Sequence, residues 1–242
     1  VKISVIIPAF NEERLLGETL TRVKSAMTAF ARLGWQAELV VCDNNSSDRT
    51  AEIARAAGAL VVFEPINQIA RARNRGAAGA AGEWLVFIDA DSHPSAELFA
   101  DVAREIESGK CLAGGSTVIL ETHDHPFANL VVRLWNTISR AGKFLAGSFI
   151  FCDAAVFREI GGFDEKLFAG EEIELSKRLK RRARRTNRRM VILHRHPLVT
   201  SARKMRLYTR GEHLRFLLKT ILRGGRTLNS REACHTWYDG RR

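Results

Sequence analysis

The chain has 242 residues, 45% of them hydrophobic and 27% charged, enough to bury a core in one large domain or in one domain with a tail. No apolar run approaches the roughly 18 residues of a spanning helix, and the opening "VKISVIIPAF" lacks the charged start and small-residue cleavage site of a secretory leader. The net charge of +11 is uneven: residues 170–242 hold 21 Lys/Arg against 6 Asp/Glu, whereas the first 169 hold 17 against 21.

In chain order, "KISVIIPA" reads as a buried strand and "RLLGETLTRVKSAMTAFARLG" carries apolar residues at helical spacing. "AELVVCDN" is a second strand, and "SSDRTAEIARAAG" a helix with a Ser/Asp start signal. "ALVVFEP" follows as a strand, "NQIARARNRGAAGAAG" as a helix and "EWLVFIDA" as a fourth strand. Continuous apolar strands joined by helices predict an α/β fold with a mainly parallel sheet covered on both faces. Ligands in such sheets sit beyond the carboxyl ends of the strands. At those ends lie Pro8-Ala9-Phe10-Asn11-Glu12, Asp43-Asn44 and Asp89-Ala90-Asp91.

Beyond Asp91 the alternation loosens. "CLAGGSTVIL" reads as a strand, "PFANLVVRLWNTISRA" as a helix, and "GSFIFCDAAVFREIGGFDE" as a strand turning into a short helix and a Gly-Gly loop. "EEIELSKRLKRRARR" is a helix with an acidic start and a basic end, as the helix dipole favours. "RMVILHRHPLV" is a strand, and "EHLRFLLKTILRGG" an amphipathic helix with Leu214, Leu217, Leu218, Ile221 and Leu222 on one face. Four cysteines (Cys42, Cys111, Cys152, Cys234) lie far apart without CxxC spacing, which reads as buried free thiols in a reducing, cytoplasmic setting.

The Asp89/Asp91 pair has two readings. The carboxylates could cap the helix in "HPSAELFADVAREI". They could instead share a divalent cation, since hard cations take few protein carboxylates and keep waters and phosphate oxygens as other ligands. In an extended continuation both would point to one side; in a turn, one could take a ribose hydroxyl. Arg71, Arg73 and Arg75 read as a solvated helix face, with Arg71, at the helix start, the one placed to reach a phosphate or base.

Taken together, "VIIPAFNEE", "VVCDNNSSDRTAEIA", "ARARNRGAAGAAGEWLVFIDAD" and "IGGFDEKLFAGEEIELSKRLKR" resemble, in that order, the motifs of family 2 glycosyltransferases of the GT-A fold, including the dolichol-phosphate mannose synthase-like branch. The resemblance covers roughly residues 1 to 200. It implies a nucleoside-diphosphate sugar donor (UDP- or GDP-linked) and a divalent cation, Mg²⁺ or Mn²⁺. It puts Pro8, Phe10, Asn11 and Glu12 at the nucleotide, Asp43 on the base, Asp89 near the ribose and metal, and Asp91 on the metal. Where the family usually has a second Asp after the one on the base, this chain has Asn44. Inverting transfer needs a base to take the acceptor's proton. Position makes that Glu172, in a Glu171-Glu172 pair where the family usually shows Glu-Asp. Read alone, the pair is an acidic helix start.

The pairs His123/His125 and His194/His196 have no Cys or acidic partner at metal-site spacing and read as mostly structural, while His93, two residues after Asp91, could be a further metal ligand, a role for which imidazole suits softer metals better than Mg²⁺. The basic stretch through residues 201–242, an extension beyond the transferase domain at 1–200, fits a segment lying on an anionic membrane surface at its inner, cytoplasmic face. A helix packed on the sheet fits it too. A lipid-linked acceptor would suit the first arrangement. Among rival functions, a sugar nucleotidyltransferase should show a Gly-rich, Arg-containing loop where this chain has "PAFNEE". A glycoside hydrolase also uses paired carboxylates but has no need of a nucleotide edge. A nucleic-acid-binding protein could use the basic tail, but the tail carries no base-reading motif, so no nucleic-acid partner is expected.

Overall fold

Four strands, β1 (Lys2–Ala9), β2 (Gln36–Asp43), β3 (Leu60–Phe63) and β4 (Trp84–Ile88), alternate with three helices, α1 (Leu16–Ala31), α2 (Thr50–Ala56) and α3 (Ile69–Gly79). The computed structural model describes residues 1–122, 126–201, 230 and 232. The His123/His125 pair, the helix expected in "EHLRFLLKTILRGG", nearly all of the 201–242 extension and Cys234 therefore lie outside the described residues. The first four strands pair in parallel in the order β3-β2-β1-β4. β4 is buried along its whole length, as a strand with a helical layer on each face must be.

The rest comprises the two-residue β5 (Ser92–His93), α4 (Ala96–Glu107), β6 (Cys111–Leu120), α5 (Pro126–Gly142), β7 (Phe149–Asp153), α6 (Ala154–Glu159), α7 (Glu171–Arg185) and β8 (Arg189–Thr200). The eight described strands form one sheet ordered β3-β2-β1-β4-β7-β6-β8-β5. β7 runs antiparallel to β4 and β6, and β5 antiparallel to β8, so the other six strands share one direction. The expected mainly parallel α/β sheet is what forms.

Alternation divides the core. Ile3, Val5 and Ile7 of β1 face one helical layer while Ile6 faces the other, and in β4 Val86 and Ile88 oppose Leu85 and Phe87. On the first face Phe30 and Phe99 stack with ring centroids 5.0 Å apart. On the second, Phe163 meets Phe87 edge-on at 5.2 Å. Gly76 lets α3 lie tightly on β1, because a Cβ there would stand 2.5 Å from Ile6 Cγ2. Cys42, Cys111 and Cys152 are buried free thiols, as expected, and burial pushes Cys42 and Cys111 up to about 12. No helix among the described residues is long and apolar enough to cross a membrane.

This topology creates one working edge. Parallel pairing puts the carboxyl ends of β1, β2 and β4 side by side. Antiparallel β7 begins at the same edge, where Asp89 N–H donates to Ser148 C=O at 3.3 Å.

Candidate active site

The loops after β1 and β2 are stitched into one surface. Asn11, at a left-handed φ of 52°, donates its N–H to Ser46 Oγ (3.0 Å) and accepts from Ser47 N–H through Oδ1 (2.8 Å). Glu12 N–H donates to Thr50 Oγ1 at 2.8 Å, while Asp43 Oδ1 accepts from Ser46 N–H at 3.0 Å. Pro8 sits in register with Cys42, so Pro8, Phe10, Asn11, Glu12 and Asp43 gather at one place. Asn44 has a different task. Its amide donates to Glu64 C=O (3.1 Å) and Ile66 C=O (2.6 Å), and its Oδ1 accepts from Gln68 N–H (3.0 Å). An aspartate has no N–H to give those carbonyls, so the amide at this position closes the loop leading into α3.

α3 supplies the residue that sequence reasoning missed. Arg73 is no part of a solvated face: only 2% exposed, it lies with Ala70, Gly76 and Ala77 among the buried residues of α3. Its Nη1 donates to Glu171 Oε1 (2.6 Å) and its Nη2 to Asp89 Oδ1 (2.9 Å) and Gly147 C=O (2.8 Å). Burial works against this charge, but Asp89 and Glu171 outweigh it and hold the guanidinium above its ordinary pKa. The spacing 70, 73, 77 is that of one helix face. An arginine on an alanine stripe was the available signal. Arg71 is held elsewhere, by Glu64 (3.1 Å) and Glu165 (2.7 Å).

Asp89 does not continue the strand. Ser92 N–H donates to Asp89 C=O at 3.1 Å, closing a turn over Asp89–Ser92. Neither aspartate caps the next helix, because Ser95 Oγ takes that role by accepting from Leu98 N–H. The helix-cap alternative for the pair is thereby ruled out. Asp91 is nearly buried, and its C=O accepts from Ser201 N–H at 3.1 Å. Among the described residues no group of three or more His, Cys, Asp or Glu gathers to hold a metal. The donor set at this turn is two carboxylates, one of them charge-compensated by Arg73. Two hard oxygen donors fit a cation that completes its shell with water and phosphate oxygens and would suit a softer metal poorly. His196 instead faces Asp101 of α4, Nδ1 to Oδ2 at 2.9 Å, consistent with a structural role.

α7 brings the acidic pair. Its N-cap is Gly170 at φ 74°, a left-handed geometry that turns the chain into the helix. Glu171 is buried on Arg73, and Glu172 is partly buried beside it. Burial first, and the neighbouring Glu171 second, push the Glu172 carboxyl up to about 8, against the pull of Arg73. The loop before α7 is tied to α3: Gln68 Nε2 donates to Glu165 C=O (2.7 Å) and Leu167 C=O (2.9 Å), and Asn74 exchanges two bonds with the Phe163 backbone. One helix thus sets the position of Asp89 and of the Glu171-Glu172 turn together.

Fold and sequence match define the family. The chain belongs to glycosyl transferase family 2, whose profile matches residues 4–160. It is similar to a dolichol-phosphate mannosyltransferase of Pyrococcus furiosus, 32% identical over 127 residues, 49% of this chain and 34% of that protein. The matched stretches span 26% to 61% of the first curated relatives' lengths. Its fold is that of GT-A enzymes. A mannosyltransferase of Pyrobaculum calidifontis solved with GDP-Man and Mn²⁺ superposes with a TM-score of 0.67 at 19% identity, covering 96% of this chain and 64% of that one. Residues 1–349 of S. aureus TarS, solved with UDP-GlcNAc, give 0.64 at 22% identity, covering 83% of this chain and 58% of that one.

Proposed function

We propose that this chain is a metal-dependent, inverting glycosyltransferase that moves a sugar from a UDP- or GDP-sugar onto a hydroxyl or phosphate oxygen, with a lipid-linked acceptor. The observation that carries the reading is Arg73 between Asp89 and Glu171, which couples the carboxylate turn after β4 to the acidic start of α7. The solved relatives with GDP-Man, UDP-GlcNAc and Mn²⁺ support the choice of donor and cation. The dolichol-phosphate relative supports a lipid phosphate on the acceptor side.

In this reading Pro8, Phe10, Asn11 and Glu12 frame the nucleoside, and Asp43 accepts from the base. Asp89, with Oδ1 on Arg73, turns its other oxygen toward ribose and cation, and Asp91 is the direct cation ligand. A bound Mg²⁺ or Mn²⁺ supplies positive charge against the departing diphosphate. Arg71 is poised at the same edge and exchanges Glu165 for a phosphate or the base when the donor arrives. Where the acceptor is a hydroxyl, Glu172 takes its proton as that oxygen bonds to the anomeric carbon; a phosphate monoester, with a second pKa of about 6, presents its oxygen already ionised, and Glu172 then takes only the proton of its monoanion. The bond from that carbon to the diphosphate breaks on the opposite face, so configuration inverts. A carboxyl whose pKa lies near the working pH suits this task, being basic enough to accept and able to release afterwards. Residues 1–200 form the transferase domain, and the basic residues 201–242 extend it toward an anionic, inner membrane surface.

The test is turnover with a panel of UDP- and GDP-sugars, Mn²⁺ and a polyprenyl phosphate, reading released nucleoside diphosphate and the product's anomeric configuration by NMR. Release that needs both acceptor and cation, with inverted configuration, supports the reading. A retained configuration sinks the role of Glu172, and full activity in a chelator sinks that of the cation.

A further inference from the structure

α5 carries an apolar face that the enzyme's interior does not use. Phe127, Leu130, Val131, Leu134 and Ile138 are 45%, 63%, 42%, 60% and 46% exposed. They recur at i, i+3, i+4, i+7 and i+11, one side of a helix. The opposite side is anchored: Ala128 and Ser139 are buried, and Asn136 clamps β6 by accepting from Val118 N–H (3.0 Å) and donating to Val118 C=O (2.8 Å). The outward stripe is therefore fixed in place. A contiguous patch of this kind marks an interaction surface.

Charge says which partner fits. From Pro126 to Ser148 the chain has Arg133, Arg140 and Lys143 and no acidic residue. The end of α5 abuts the basic stretch of α7, where Lys180 Nζ lies 3.6 Å from the Phe144 ring centroid and Leu145 N–H donates to Ser176 Oγ at 2.9 Å. Burial, and then Arg184, Lys177 and Lys143, push the Lys180 ammonium below its ordinary value. Four cations thus gather near the C-terminal end of α5, an arrangement that a multiply anionic surface relieves. A second copy of the chain would offer this basic patch only its own counterpart, with no acid on α5 to pair with it. Position points the same way. Just past α5, Gly147 C=O accepts from Arg73 and Ser148 C=O from Asp89 N–H, so whatever holds α5 holds the candidate active site.

We propose that the exposed face of α5, with Lys143, Lys177, Lys180 and Arg184 beside it, docks on an anionic lipid bilayer, the helix lying in the headgroup layer. This rests on the glycosyltransferase reading only for its purpose, which is to bring the site to a lipid-borne acceptor. All of these residues precede position 201 in the chain.

The experiment is flotation of the full chain with vesicles of phosphatidylcholine alone or with about 30% phosphatidylglycerol, at about 0.1 M salt. Leu130→Glu/Leu134→Glu and Lys143→Glu/Arg184→Glu all replace exposed residues, and UDP, GDP and Mn²⁺ binding reports that each variant is folded. Wild type should float with the anionic vesicles, and each double variant should partition at least about tenfold less while binding nucleotide as wild type does. Equal flotation of the leucine variant overturns the proposal and assigns lipid binding elsewhere, residues 201–242 first. Absence of wild-type flotation overturns it as well. So does a wild-type dimer, seen by sedimentation equilibrium, that the leucine variant abolishes, since a second copy then occupies the face. Failure of wild type to bind either nucleotide counts against the transfer reading and leaves the flotation result to decide this one.

Discussion

Replacing Glu172 by glutamine should stabilise the fold while abolishing transfer, and the stabilisation should depend on pH. In the native chain burial and Glu171 hold this carboxyl protonated up to about 8, against an ordinary value of 4.5. Between those values the unfolded chain has released the proton and the native chain still binds it. The contribution of Glu172 to stability is therefore fully present below pH 4.5 and is lost as pH rises toward 8, beyond which the loss is complete. At about 1.36 kcal/mol per unit the ceiling is about 5 kcal/mol, and relaxation around a partly buried group should reduce the measured loss to roughly 2–4 kcal/mol. Glutamine keeps the shape and never ionises. The assay is thermal unfolding of both proteins from pH 5 to 9. Groups remote from this pair cancel in the difference, so the variant's advantage should be small at pH 5 and grow to roughly 5–12 °C by pH 9. A constant difference across that range, or a variant less stable at pH 9, would refute the claim that Glu172 is held neutral by its surroundings.

Three further outcomes follow from the same geometry. The pH profile of kcat/KM should rise through an apparent pKa near 8 in the wild type, because that ratio reports the free enzyme's base, and a profile flat from pH 6 to 9 would remove Glu172 from the role. Arg73→Met should cost roughly 3–5 kcal/mol of stability by stranding the Glu171 charge, measured by urea unfolding, whereas Arg75→Met should cost under about 0.5 kcal/mol. Ser95→Ala should lower stability by about 1 kcal/mol while leaving cation binding intact, whereas a lost cation site would mean that the cap and the aspartate turn are coupled.

Much of this architecture was legible because burial on both faces leaves a plain mark. The runs "KISVIIPA" and "EWLVFIDA" read as strands, the second forming over Trp84–Ile88 because the chain turns at Asp89, and α7 begins and ends where its acidic start and basic end placed it. Strand direction was not legible. "FIFCD" announces a buried strand equally well whether it runs with or against its neighbours, and β7 runs against them. The two-residue β5 is too short to carry a period. At the candidate site, the acids at the ends of β1, β2 and β4 could be counted in advance because parallel pairing aligns those ends. Arg73 could not be placed so easily, since an arginine on a helix is ordinarily solvated and its partners Asp89 and Glu171 lie 16 and 98 residues away. The cap that Asp89 and Asp91 offered as an alternative role belongs to Ser95, because the chain turns at Asp89–Ser92 before the helix begins.

The central claim is that the turn after β4 holds a cation and with it a nucleoside diphosphate. It is tested most directly by calorimetric titration of UDP and GDP into wild type and Asp91→Ala, with and without Mn²⁺. The account predicts that one nucleotide binds wild type only when Mn²⁺ is present, and that the variant loses this binding while unfolding at a temperature close to the wild type's. Nucleotide binding that is equally tight without the cation, or undiminished in the variant, would contradict it.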